Sequence, residues 1–196
     1  MKKSTSLRQH FLTALLALAM WTVGQSAWAV YYTPLRGTGG MTNSEGFASL
    51  VDGEKGTKWC TDNTKTDYRD GWYVVFKSSE PLAPSAYQVI TGGDTEAFPG
   101  RNWKDWTIYG ANFDSDDEAV FESEKWTVID EKTNVGPDQL PAANVKTVTF
   151  EMSEVCPEEY EYFMIYVKAT GGDGKTMQMI EFNFGKVEAI EYTAID

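Results

Sequence analysis

The residues best suited to chemistry lie in one early segment, Ser49-Leu50-Val51-Asp52-Gly53-Glu54-Lys55-Gly56-Thr57-Lys58-Trp59-Cys60. Asp52 supplies a carboxylate, Gly53 and Gly56 let the backbone turn back on itself, and Thr57 carries both a hydroxyl and a carbonyl toward one point. A hard cation takes six to eight oxygens, so the backbone carbonyls of Ser49 and Glu54 would have to join. A second carboxylate is needed from elsewhere. Glu181 is the candidate, an acid inside the apolar run Met177-Gln178-Met179-Ile180-Glu181-Phe182, where a buried charge requires a partner. On the residues alone the plainer readings also stand: Asp52-Gly53 as a β-turn and Glu181 as a solvent-facing strand residue.

Other chemistries are narrowed by what is missing. The single histidine, His10, falls in a stretch that reads as a secretory signal, with Lys2, Lys3 and Arg8 ahead of an apolar run over 11–23 and Ala27-Trp28-Ala29 closing it. Cleavage there is expected to give a periplasmic or secreted chain of residues 30–196 with no imidazole. Neither a Ser-His-Asp or Cys-His nucleophile nor a histidine-built zinc site is then available. The apolar run is short of the roughly 20 residues of a comfortable membrane span, so no membrane insertion is expected after cleavage. Loss of the three basic residues takes the formal net charge from −12 to −15, which repels nucleic acid and anionic membranes. Carboxylate-pair hydrolysis survives these exclusions, but no acid pair is visibly set in an apolar pocket that would raise one pKa. A non-enzyme is expected. Cys60 and Cys156 meet an oxidising compartment in which pairing is open, and the sequence does not fix their separation.

The elements that must position these residues are strands. Trp72 to Lys77, Ala86 to Thr91, Trp106 to Tyr109, Trp126 to Ile129, Val145 to Met152, Tyr162 to Ala169 and Met177 to Phe184 are rich in β-branched and aromatic residues. Val148, Phe150 and Met152 alternate with Thr147, Thr149 and Glu151, and Trp72, Val74 and Phe76 share that spacing. No window has the three-and-four spacing of an amphipathic helix, so helices are expected only as short turns. Seven or more strands with polar connections predict an all-β fold, a β-sandwich jelly roll in one domain over 30–196. The tail from Val187 to Asp196 reads as a last edge strand beside the residues around Tyr31. Trp59, Trp72, Trp106 and Trp126 are assigned to packing. The acidic runs 114–118 and 158–161 read as solvated loops, and Gly171 to Thr176 as a turn between strands, not a phosphate loop.

Several pieces together carry a resemblance. Gly46 to Gly53, Thr57-Lys58-Trp59, Gly71 to Phe76, Tyr87 to Gly92, Pro99-Gly100-Arg101-Asn102, Trp106 to Asn112 and Trp126 to Asp130 resemble, in the same order, the coagulation factor type C or discoidin domains, which include many galactose-binding carbohydrate modules. The likeness spans about Glu45 to Gly185. It implies a galactose-binding-domain-like jelly roll with a structural calcium ion near the joined termini, held by Ser49, Asp52, Glu54, Thr57, Ile180 and Glu181. It implies ligand recognition by loops at one end of the sandwich: Asp62 to Gly71 with Tyr68 and Arg69, and Gly92 to Asp105 with Asp94, Phe98, Arg101, Asn102 and Trp103. Galactose binders of this kind often use a histidine, which this chain lacks beyond His10. The expected function is a secreted or periplasmic, non-catalytic module that binds carbohydrate as a monomer. The alternative is a protein-interaction or cell-adhesion domain meeting an extracellular protein with the same loops.

Overall fold

The computed structural model describes residues 30–62, 64, 71–153, 156–172 and 174–185. The expected leader 1–29, the loop residues Tyr68 and Arg69, and the tail from 186 lie outside the described residues. Among the described residues ten strands carry the fold: β1 Tyr32–Gly37, β2 Trp59–Asp62, β3 Trp72–Leu82, β4 Ala86–Ile90, β5 Trp103–Ala111, β6 Thr127–Lys132, β7 Thr147–Glu151, β8 Tyr160–Thr170, β9 Thr176–Met179 and β10 Glu181–Gly185. Among the described residues helix occurs only as the 3₁₀ turns Phe47–Leu50, Pro99–Arg101 and Asp116–Glu118, in keeping with the missing helical periodicity.

The strands form three antiparallel sheets, ordered β1-β3-β8-β5-β6, β10-β4-β7 and β2-β9. Aromatic side chains knit the large sheet to the three-stranded one. Phe163 lies 4.6 Å from Phe184 and Phe76 6.0 Å from Phe182 between ring centroids, while Trp106 meets Phe150 edge-on at 5.2 Å. Each such burial contributes about 2–3 kcal/mol through water exclusion. A buried polar node also joins the sheets. The Tyr87 hydroxyl on β4 donates to Asp130 Oδ2 on β6 at 2.9 Å and accepts from Trp106 Nε1 on β5 at 2.9 Å. Asp130 Oδ1 accepts from Lys132 Nζ at 2.9 Å and from the Ser153 amide at 3.1 Å. Burial first, then the Asp130 carboxylate, holds the Tyr87 phenol far above its usual range.

The outer face of the large sheet is covered as well. Val75, Tyr162 and Met164 are buried there beneath Ala119, with Phe113, Phe121 and Trp126 packed around them. This is why Val74, Val75 and Phe76 are buried in succession where a one-sided strand would alternate. The acidic run 114–118 is exposed, as expected of a solvated loop, and it bridges Phe113 and Ala119 of this cover. Arg36 Nη2 donates to the Asp116 carbonyl at 2.7 Å, and the Tyr162 hydroxyl donates to Asp116 Oδ1 at 2.9 Å.

One expectation is corrected, and the open question of the cysteines is answered. Met177 to Phe184 is two strands in different sheets, broken at Ile180, because β9 pairs with β2 and β10 with β4. Among the described residues β1, with Pro34 inside it, is a sheet edge beside β3, the place where a strand proline is tolerated; the tail expected to run beside it lies outside the described residues. Cys60 and Cys156 do not pair: both are free and buried. β2, which carries Cys60, ends where Asp62 accepts from Trp72 Nε1, beside the Val167 end of β8. Cys156 precedes the opposite end of that 11-residue strand, a length of roughly 35 Å.

Candidate functional site

The loop between the first 3₁₀ turn and β2 closes on itself around Asp52. Gly53 adopts φ +77°, which a side chain would oppose, and turns the chain so that Asp52 Oδ1 accepts from the Glu54 amide at 2.8 Å. The Thr57 hydroxyl sits 2.8 Å from Asp52 Oδ2 and 2.9 Å from the Glu54 carbonyl. Glu181, the first residue of β10, reaches this loop from the far end of the sequence and accepts from the Gly53 amide at 3.0 Å. Burial first, and then the facing Asp52 carboxylate, push the Glu181 carboxyl up to about 7. Glu181 is thus half-buried and turned to the loop, not to solvent.

Asp52, Glu54, Thr57 and Glu181 therefore come together. Ser49 lies on the turn that leads into the loop, and Ile180 is the bend between β9 and β10, its amide donating to the Ile90 carbonyl at 2.8 Å. Among the described residues no three His, Cys, Asp or Glu side chains cluster as a metal centre, so two carboxylates would have to be completed by hydroxyl and carbonyl oxygens. An all-oxygen set of that kind fits a hard cation and not a soft one.

Beside this loop opens a cleft of about 590 Å³, walled by Thr42, Ser44, Glu45, 55–58, Gly93-Asp94 and Ile180. Its polar groups are cross-braced. Lys58 Nζ donates to Asp94 Oδ1 and Oδ2 at 3.0 and 3.1 Å and to Gln178 Oε1 at 3.3 Å, with Glu45 Oε1 at 3.8 Å. Arg101 Nη1 lies 3.6 Å from Asp94 Oδ2, and its guanidinium stacks 3.8 Å over the Phe98 ring. Phe98 is 45% exposed. Gln178 is buried on β9 and donates from Nε2 to Thr95 Oγ1 at 3.3 Å. A Cβ at Gly92 would stand 2.6 Å from Gln178 Nε2, so glycine is what admits that side chain. Burial opposes ionisation of Asp94, yet the Lys58 ammonium outweighs it and holds the carboxyl below its usual range. The arrangement alternates carboxylate acceptors with ammonium and guanidinium donors, the complement of a surface bearing several hydroxyls.

The loop that carries Asp94 is riveted from behind. Thr91 Oγ1 accepts from the Lys146 amide at 2.8 Å, Asn144 Oδ1 accepts from the Glu96 amide at 2.9 Å, and the Val145 amide donates to the Gly92 carbonyl at 3.3 Å. Val145 is held at φ 51°, a conformation a β-branched residue adopts only under constraint.

Of the residues expected to bind ligand, Asp94, Phe98 and Arg101 belong to this network. Asn102 and Trp103 do not. Asn102 braces a neighbouring loop, donating from Nδ2 to the Leu140 and Pro141 carbonyls at 3.3 and 3.1 Å. Trp103 opens β5 and points inward, 1% exposed and edge-on to Trp106 at 5.8 Å, which corrects its expected exposure on a polar loop. Trp59, Trp72 and Trp106 are core residues as expected. Glu45, Lys58 and Gln178 escaped the sequence reading. Lys58 left no periodic signal: it stands just before β2, whose first three residues Trp59, Cys60 and Thr61 are buried without alternation.

No family model matches the chain, and no curated protein matches it in sequence. Solved structures do match. The family 32 carbohydrate-binding module of Streptococcus pneumoniae EndoD has a TM-score of 0.54 at 14% identity, over 80% of this chain and 96% of that one. An F5/8 type C domain from Bacteroides fragilis gives 0.54 at 14% identity, over 83% and 93%. The family 32 module of Clostridium perfringens NanJ, solved with galactose, gives 0.50 at 14% identity, over 79% and 92%. At these identities the likeness is one of fold, and it covers most of the chain. This chain has the antiparallel β-sandwich fold shared by family 32 carbohydrate-binding modules and F5/8 type C, or discoidin, domains.

Proposed function

We propose that this protein is a secreted or periplasmic, non-catalytic carbohydrate-binding module that holds a glycan in the Lys58–Asp94–Arg101 cleft, on a sandwich clamped by calcium. The observation that carries the reading is the cleft itself, lined by Glu45, Lys58 and Asp94, with Asp94 paired in turn to Arg101, which stacks on the partly exposed Phe98. Solved structures of the same fold include a module holding galactose. Ion pairs bound to one another lose no ordering entropy when a neutral sugar docks, and they offer donors and acceptors side by side. A bond-breaking role has less support. Asp52 is engaged by Thr57 and Glu54, and Glu181 by Gly53, so the one pair of facing carboxylates just described is turned in on its own loop.

Calcium would be held by the Asp52 and Glu181 carboxylates, the Thr57 hydroxyl and the carbonyls of Ser49, Glu54 and Ile180. It would supply the positive charge that lets Glu181 ionise opposite Asp52, fastening the early loop to β10. A glycan array probed with the calcium-loaded protein tests the function. Binding to a defined set of glycans, weakened about 10-fold or more by Lys58→Ala or Arg101→Ala, supports it. A folded protein that retains no glycan but captures a stoichiometric extracellular protein would move the reading to adhesion.

A further inference from the structure

Cys60 on β2 is a free cysteine, buried to 2% exposure. Its thiol donates to a second sulfur, Met41 Sδ, 3.7 Å away. Met41 is 45% exposed, so the pair joins an interior sulfur to one on a residue open to solvent. The backbone holds them together. The Met41 amide donates to the Cys60 carbonyl at 2.8 Å, and the Cys60 amide donates to the Glu45 carbonyl at 3.0 Å. The 40–46 segment closes over Cys60 through a glycine, since a Cβ on Gly40 would stand 2.3 Å from the Glu45 carbonyl group. An exposed methionine on a loop is ordinarily free to turn away; this one is anchored beside the thiol on both sides of β2's second residue.

Thiolate and thioether sulfurs are soft donors and select soft ions such as copper(I). With metal–sulfur bonds of about 2.3 Å, two sulfurs 3.7 Å apart subtend an angle close to tetrahedral at one ion. Charge selects the valence. A thiolate with a monovalent ion is a neutral unit, whereas a divalent ion would leave net positive charge in a buried place. Burial, acting against the nearby Lys58 ammonium, holds the Cys60 thiol above its usual range, so binding must displace a proton. The S–H bond breaks, a sulfur–metal bond forms and the proton passes to solvent, with no change of oxidation state. We propose that Cys60 and Met41 form a binding site for a soft monovalent cation, copper(I) or silver(I). The site shares no ligand with the oxygen-rich loop at Asp52 and does not depend on the protein's binding a glycan.

Cys156 supplies the internal control, because it too is buried but its thiol donates to the Glu158 carbonyl at 3.3 Å. The reduced protein is titrated with silver(I) and, in competition with a chromophoric chelator, with copper(I). One tightly held ion per chain is expected, retained by Cys156→Ser and lost in Cys60→Ser. Met41→Leu is the deciding variant. It conserves volume at an exposed position and so keeps the fold, yet it removes one donor, and affinity should fall about 10-fold or more. X-ray absorption at the copper edge should show two sulfur neighbours in the wild type and one in that variant. Unchanged affinity in Met41→Leu would mean an ion on a bare thiol and overturns the site. So does loss of the ion in Cys156→Ser in place of Cys60→Ser, displacement by equimolar zinc(II), or no ion retained at all.

Discussion

Glu181 faces Asp52 from the first position of β10, and burial with that facing charge carries its pKa from 4.5 to about 7. The unfolded chain keeps the ordinary value, so without a cation the native state binds the extra proton between those limits. The stability this carboxyl contributes is complete below the unfolded pKa of 4.5 and is lost as pH rises through about 7. A bound cation acts in the opposite sense, because it favours the ionised pair. Melting in a chelator should therefore fall from about pH 5 to about pH 8 more steeply for the wild type than for Glu181→Gln. Calcium should raise the wild-type Tm most at the higher pH and leave the variant nearly unmoved; a wild type indifferent to calcium at about pH 8 would remove the ligand set. Val145 offers a second residue-scale expectation. It is 45% exposed at φ 51°, so Val145→Gly loses little packing, relieves the backbone, and should raise stability by about 1 kcal/mol in urea unfolding. The Asp52, Thr57 and Glu181 cluster was legible because most of its members share one short, glycine-marked loop. Lys58 was not, because its partner Asp94 lies 36 residues away and only folding joins them. Trp103 misled because Asn102 and Lys104 make its neighbourhood look like a loop, whereas it is the first residue of β5.

At the scale of elements, strands were readable where one face is wet, as in β7, with Phe150 buried between exposed Thr149 and Glu151. They were less readable where both faces are covered. The run Met177 to Phe184 gave no sign of its change of sheet at Ile180, because periodicity carries no information about which strand lies alongside. The cover over the outer face was hidden too, since an exposed acidic run interrupts in sequence the Phe113, Phe121 and Trp126 that pack together on Val75, Tyr162 and Met164. Trp126 donates from Nε1 to the Val120 carbonyl at 2.8 Å and packs edge-on to Phe113 at 5.0 Å. Trp126→Ala should cost about 2–3 kcal/mol in thermal unfolding and leave glycan affinity unchanged. Where sheets meet, Tyr87→Phe would strand Trp106 Nε1 and remove a donor from the buried Asp130. A loss of about 2 kcal/mol is expected, and a neutral result would mean that water replaces the hydroxyl.

For the whole molecule, two sheets bury an aromatic core, and the loops at one edge carry both the charged cleft and the oxygen-rich loop, with Thr57 and Ile180 common to the two. That shared wall couples them physically. A cation that fixes Asp52 against Glu181 also fixes one side of the cleft, so glycan affinity should fall on chelation even while the sandwich stays folded. The most direct test is a crystal structure grown in calcium with a glycan selected on an array. Sugar hydroxyls bonded to Glu45, Lys58, Asp94 or Arg101, with a cation between Asp52 and Glu181, are the predicted result. A glycan seated elsewhere on the surface, or Asp52 and Glu181 sharing a proton with no ion between them, would contradict it.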